Sequence, residues 1–435
     1  MDLQRTATDR IESRTQMTMH KLFPISCAKL SMTFFQGEAD LMIDIQSNAE
    51  LASFCSEMDG QPYITIDTEF IRERTFYPIL ALIQVSWKNR VPVLIDPLRI
   101  TNWDPFHYVL KDPAIRKVFH AGRQDVEIFF YQMGEVPENL FDTQIAASMC
   151  GFGDQVGYSA LVSRILGTQL TKGSSFTNWL RRPLTDAQLS YAADDVLYLP
   201  AVYERLHKRA EEKGRLEWIS DETLTQFDRK LFEPDLNQIW RKVKKSNSLS
   251  PKNLAVLQAL ARWRYETARE LDKPLRFIIS DEAMVELAKV DRLSHESLSA
   301  RRGMQSKILD RYGDDIIDVH DEARALPSSE WPVTRSNRDR TPSDKSEALA
   351  DFGWLLIKEI ARGAHIAPTH LTSKKDLAFF IDACIQGGDL DEFAINRSWR
   401  LKMVGKPLMD LIEGRLVLQV KDHRIKWVSE DTEAE

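Results

Sequence analysis

The sequence predicts an α/β domain with a mixed sheet, followed by two all-α helical modules, and three observations point there. Between Met42 and Leu206 short apolar runs alternate with helical stretches, the pattern of helices layered on a sheet. After Leu206 strand signals nearly vanish and apolar residues recur at helical spacing. A polar stretch punctuated by Pro327, Pro332 and Pro342 then divides the helical part in two. With 435 residues, the chain is too long for one compact core and suits two or three domains.

Taken in order, residues 1–31 read as a disordered N-terminal extension. They lack the apolar core of a signal peptide, and Asp2, Asp9 and Glu12 do not suit an organellar presequence. In the α/β domain, assigned to residues 32–217, strands are expected at 63–67, 80–86, 91–95 and 117–120. The first three follow one another closely, which predicts antiparallel neighbours because a parallel pair needs a long crossover. Helices are expected at 103–110, 125–133 and 186–209. The first helical module, 236–325, opens with a periodic run at 254–271 that Pro274 ends. It continues with 281–288 capped by Ser280, a turn of helix near Ser297, and 306–312. A linker is assigned to 326–345. The last module, 346–430, restarts helical spacing at 346–360, 374–385, 398–401 and 405–413, and reads as a degenerate repeat of the one before it.

The composition excludes several classes of function. No apolar run approaches the roughly 20 residues needed to span a bilayer, so no membrane role is expected. Cys27, Cys55, Cys150 and Cys384 lie far apart with no CxxC pair, which argues against a zinc site or a disulfide framework and for the reducing cytoplasm. A net charge of -7 means that nucleic-acid binding has to be local. Arg241, Lys242, Lys244, Lys245 and Lys252 form one basic run, and Arg397, Arg400, Lys402 and Lys406 another. Taken alone, such a run is more often a solvated face. Protein–protein docking is the competing use of the helical modules.

Chemistry is concentrated in three segments. On a strand, Asp67 and Glu69 share a face while Ile64 and Ile66 take the other. Two carboxylates side by side raise each other's pKa unless a cation intervenes; a polar strand end facing solvent is the alternative. Asp125 follows a strand and the Gly122 turn, where an acid can hold a ligand or simply stabilise a helix N-terminus. Tyr191 and Asp195 are four apart on a helix and so share a face, next to the apolar Ala192, Ala193 and Val196. A carboxylate among apolar neighbours needs a partner or a metal.

Together these segments resemble the three exonuclease motifs of the DEDD superfamily, in the branch with tyrosine in the third motif. The stretches Asp67-Thr68-Glu69-Phe70 to Gln84, His120-Ala121-Gly122 to Asp125, Phe141-Asp142-Thr143-Gln144, and Trp179-Leu180-Arg181-Arg182-Pro183-Leu184 to Tyr191-Ala192-Ala193-Asp194-Asp195 are similar to the bacterial ribonuclease D family. The module with Trp263-Arg264, Lys273-Pro274, Asp281-Glu282 and Gly303-Met304 resembles the helicase and ribonuclease D C-terminal (HRDC) domain. The last module is similar to a second, diverged copy.

The resemblance implies a ribonuclease H-like core and a 3′-to-5′ exoribonuclease acting on RNA with a free 3′ end, tRNA precursors among them. It implies two divalent ions, Mg²⁺ or Mn²⁺, held by Asp67, Glu69, Asp125 and Asp195, with Asp67 bridging. It makes Tyr191 the residue that orients the attacking water, and it places Thr68, Phe70 and His120 near the terminal nucleotide. Asp142 is expected to orient a turn and Asp194 to point away from the metals. Between Gly167 and Trp179 the segment Thr171-Lys172-Gly173-Ser174-Ser175-Phe176-Thr177-Asn178 departs from the family pattern, which makes altered substrate handling an expectation. A DNA exonuclease with the same chemistry and an idle RNA-binding scaffold are the competing readings.

Overall fold

The computed structural model describes residues 32–34, 41–170, 177–301, 306–332 and 341–429. The expected N-terminal extension, the segment from Thr171 to Phe176, Gly303-Met304 and residues 333–340 of the linker lie outside the described residues.

Seven strands form one mixed sheet in the order β1-β2-β5-β4-β3-β6-β7. These are β1 (Met32–Phe34), β2 (Leu41–Ile45), β3 (Tyr63–Ile71), β4 (Ile79–Ser86), β5 (Val93–Ile95), β6 (Arg116–Phe119) and β7 (Leu140–Asp142). As expected, β3, β4 and β5 are antiparallel neighbours; β6 joins β3 in parallel. Three strands escaped the sequence reading. Both β1 and β7 are only three residues long, too short to show alternation. The third, β2, pairs in parallel with β5 across a helix and two strands.

Helices flank this sheet: α1 (Asn48–Glu57), α2 (Asp104–Lys111), α3 (Arg123–Met133), α4 (Thr143–Met149), α5 (Tyr158–Leu166), α6 (Asp186–Leu197), α7 (Leu199–Glu212) and α8 (Leu216–Gln226). The single helix expected over 186–209 is thus two. Pro200 falls in the first turn of α7, where its missing N–H costs nothing, and inside a continuous helix it would break a hydrogen bond. Ile219 on α8 shares a core with Phe141 and Leu206, so packing of the α/β part runs past residue 217.

The first helical module holds α9 (Pro251–Glu270), α10 (Asp281–Ala288) and α11 (Ser306–Ala325). Ser280 caps α10 by accepting from the Ala283 N–H, as its sequence position predicts. The module docks through Asp272, whose Oδ1 accepts from the backbone N–H groups of Phe76 (2.9 Å) and Tyr77 (3.0 Å). Phe76 also meets Tyr265 edge-on at 5.3 Å, and Arg269 donates to the Tyr77 hydroxyl at 3.0 Å.

The last module contains α12 (Asp344–Ala364), α13 (Lys374–Gln386), α14 (Lys406–Ile412) and a hairpin of β8 (Leu416–Lys421) and β9 (Arg424–Ser429). The hairpin corrects the all-α expectation for this module. The module docks on α8 of the α/β part: Trp218 and Trp399 stack at 4.5 Å and 12°, Arg400 pairs with Glu222, and Ser398 bonds Asp221. Asn247 of the first module and Glu347, Lys374 and Phe379 of the last line one cleft of about 810 Å³, so both modules border it.

Candidate active site

Each functional side chain is aimed by a different local rule. Asp67 and Glu69 project from β3, the strand between β4 and β6, on the face opposite the fully buried Ile64 and Ile66. Asp67 stands across from Gln84 and Glu69 across from Leu82; the register shifts just after Glu69. Such a shift bends a strand and re-aims its side chains. Asp125 lies in the first turn of α3, entered by a tight turn at Ala121 (φ +57) and Gly122. A Cβ on Gly122 would sit 2.3 Å from the Cβ of Phe119, so only glycine fits. Asp142 ties this turn down: its carboxylate accepts from the N–H groups of Ala121 (3.2 Å), Gly122 (2.9 Å) and Gln144 (2.7 Å). That is the turn-orienting role expected of it.

Tyr191 and Asp195 lie on α6, which opens with a reciprocal capping box between Thr185 and Gln188. Arg182 anchors the loop leading into α6. Its guanidinium bonds both oxygens of Asp96 at 2.7 Å and the carbonyls of Ala81 and Trp179 at 2.7 Å. Trp179 is buried in a cluster with Leu82, Leu94 and Ala192 against which Tyr191 packs, and its ring lies 6.0 Å from that of Tyr191.

The four carboxylates feel one another. Burial, then Asp195, Asp125 and Glu69, push Asp67 well above the carboxylate range. Burial with Asp195 and Asp125 raises Glu69 to about 8. Asp195 is raised to about 7 by burial, Asp194 and Asp125. Asp125 reaches only about 6, because the Thr68 hydroxyl donates to it and offsets part of the burial cost. Asp195 Oδ2 is buried without a hydrogen-bond partner, a costly state for a carboxylate oxygen. Among the described residues no three His, Cys, Asp or Glu side chains are gathered tightly enough to grip an ion as they stand. The site is therefore an approach of four mutually repelling acids to one region, and acids so placed fit divalent cations, which take carboxylate oxygens.

Tyr191 is also held above its usual range, by burial and then by Asp195, Glu69 and Asp67, so its phenol keeps its proton. Of the expected nucleotide contacts, Thr68 has its hydroxyl proton committed to Asp125, and its backbone N–H serves the Asp67 and Asp125 carboxylates. The Thr143 hydroxyl donates to Phe119 O and so accepts from His120 Nδ1, 3.0 Å away; the His120 ring also leans on Tyr158 at 5.5 Å. Phe70 is half-buried against the core beneath the sheet. The sequence reading gave no role to Arg182, Asp96 or Gln84. Gln84 is fully buried with neither amide atom partnered, and only the pairing register, which sequence does not display, puts it opposite Asp67.

Comparison with known proteins decides the family. The chain is 35% identical over 386 residues to ribonuclease D of Granulibacter bethesdensis, covering 88% of this chain and 96% of that one. It belongs to the ribonuclease D family. Ribonuclease D of Jannaschia sp. is 37% identical over 399 residues, covering 88% and 98%. The crystal structure of Escherichia coli RNase D, described as an exoribonuclease involved in structured RNA processing, superposes with a TM-score of 0.77 at 31% identity over 85% of this chain and 98% of that one. A 3′-5′ exonuclease family model matches residues 42–211 and an HRDC domain model residues 253–319. As a ribonuclease D, the chain is a metal-dependent 3′-to-5′ exoribonuclease with an HRDC domain behind its catalytic domain.

Proposed function

We propose that the enzyme removes 5′-mononucleotides one at a time from the 3′ ends of structured RNA, tRNA precursors in particular, with Asp67, Glu69, Asp125 and Asp195 holding two Mg²⁺ or Mn²⁺ ions. The observation that carries this reading is the meeting of four acids from three separate segments, each raised by burial and by other acids. The unpartnered Asp195 Oδ2 supports a ligand role there. When bound, the ions would supply an activated water and neutralise charge on the attacking and leaving oxygens. On the protein side, Thr68 holds the Asp125 carboxylate in place, and the protonated Tyr191 phenol can orient the water by hydrogen bonding without taking its proton. Phe70 and Thr68 are proposed to hold the terminal nucleotide. For His120 the proposal narrows, because Nδ1 is already engaged with Thr143.

We further propose that residues 346–430 are a second HRDC-like copy. In its favour, α9 has 20 residues behind a Ser250 cap and α12 has 21 behind a Ser343 cap; the hairpin is this copy's own addition. Phosphate contacts are assigned to the exposed Lys242, Lys244 and Lys245. Arg264 of the same module is not among them, being buried and bonded to Asp281 at 2.7 Å. Arg400 of the second basic run is likewise bound to Glu222 and the carbonyl of His370. No described helix is long and apolar enough to cross a membrane, and Cys55, Cys150 and Cys384 are unpaired, which supports a reducing cytoplasm.

The test is hydrolysis of 3′-extended tRNA and a matched DNA with Mg²⁺ or Mn²⁺, resolved by product. Release of 5′-mononucleotides from the RNA end is expected; equal activity on DNA or internal cleavage contradicts the reading.

A further inference from the structure

The β8–β9 hairpin carries an arrangement that strand pairing alone disfavours. Lys421 and Arg424 stand directly opposite each other at its turn end, and like charges so placed are destabilising. Between them Asp422 and His423 take φ of +54° and +59°, the left-handed pair of a two-residue type I′ turn. Glycine or asparagine usually holds such positions, so this turn exposes a charged tip at some conformational cost.

By the same pairing, Lys426 shares a face with Lys421 and Arg424, while Val420, Ile425 and Trp427 share the other. Lys426 meets Asp422 at 3.4 Å, both side chains about half or more exposed, a pairing of little strength. Among the described residues Lys421 and Arg424 have no ion-pair partner, whereas Arg415 at the hairpin base is held by Asp410 and Glu413. Trp427 is 43% exposed and Val420 78%. Arg424, Lys426 and Trp427 line a cleft of about 620 Å³ against Glu359 and Arg362 of α12.

An exposed apolar hairpin face is normally an aggregation hazard, and three cations on the other face attract a polyanion. We propose that this hairpin is a docking surface for the body of the RNA substrate, with phosphates on Lys421, Arg424 and Lys426 and an unpaired base stacked on Trp427. The proposal rests on the exoribonuclease activity, which brings a polyanion to the enzyme. Three cations on 14 residues of a chain whose net charge is -7 supply the charge complementarity, and Trp427, although on the other face of the hairpin, lines the same cleft as Arg424 and Lys426, the combination of ring and cation by which proteins hold unpaired nucleotides.

The experiment compares the full chain with Lys421→Gln/Arg424→Gln/Lys426→Gln and with Trp427→Ala. Fluorescence anisotropy reads binding of a 3′-extended stem-loop RNA in EDTA between 50 and about 200 mM KCl, a range over which phosphate contacts are resolved. The triple variant should bind at least about tenfold more weakly, with a slope of log affinity against log salt shallower by roughly 2 to 3, as the loss of three phosphate contacts demands. Trp427→Ala should weaken binding about fivefold or more with the slope unchanged. Hydrolysis of a tetranucleotide should match wild type in both variants. An unchanged slope and affinity in the triple variant would overturn the proposal. So would a variant slowed equally on both substrates, or one that loses binding to phosphatidylglycerol vesicles while keeping its RNA affinity.

Discussion

Glu69 shows how the active site trades stability for chemistry at the scale of one residue. Burial and the anionic Asp195 and Asp125 raise it from an ordinary 4.5 to about 8. The folded protein then keeps a proton that the unfolded chain gives up. Its contribution to stability is full below about pH 4.5 and is lost as the pH rises through about 8. Metal-free Glu69→Gln should therefore be more stable than wild type at pH 8, by on the order of 2–4 kcal/mol, with the difference vanishing near pH 4. Chemical denaturation in EDTA at the two pH values checks this; equal stability at pH 8 would contradict the electrostatic picture. Divalent cation should raise the melting temperature of wild type more than that of the variant. The acids themselves were legible in the sequence, because strand alternation and helical i,i+4 spacing depend only on local order. Gln84 and the Thr68 to Asp125 bond were not, since both depend on which strands and helices meet.

At the scale of elements, α6 carries Tyr191 and Asp195, and the loop before it sets where they point. Arg182 closes that loop on Asp96, whose side chain is only 8% exposed. Breaking a buried pair leaves one charge uncompensated, at a cost of about 3–5 kcal/mol. Arg182→Met should lower stability by that order in urea titration and reduce kcat through misplacement of α6; a variant with wild-type stability would show that the clamp carries no load. Element boundaries were legible where capping chemistry is local, as at Ser280 before α10. They were illegible where tertiary pairing decides. Three-residue β7 exists because Val118 of β6 pairs with Phe141. The break between α6 and α7 follows Pro200, which the helical periodicity of 186–209 hides. The hairpin at 416–429 was absorbed into a helical expectation although Leu416, Leu418 and Val420 alternate with Val417, Gln419 and Lys421.

Across the whole molecule, two helical modules grip the catalytic domain at separate places, Asp272 on the loop around Phe76 and Trp399 on Trp218 of α8. The contacts lie up to 196 residues apart in sequence, so the sequence displays the modules but not their docking. Trp399 is 5% exposed, and Trp399→Ala should cost about 3–5 kcal/mol while raising the KM for tRNA-sized RNA and sparing tetranucleotide hydrolysis. Steady-state kinetics on the two substrates checks this, and equal losses on both would show that the module supports the catalytic domain and not substrate choice. The central claim is that four acids from three segments serve as one divalent-metal site for RNA 3′-end hydrolysis. Its most direct test is calorimetric titration of Mn²⁺ into wild type and Asp67→Asn with a hydrolysis-resistant oligoribonucleotide bound, alongside turnover of the cleavable RNA. The account predicts two ions in wild type, fewer in the variant, and loss of turnover by about 10³-fold or more; full activity with unchanged metal binding in Asp67→Asn would contradict it.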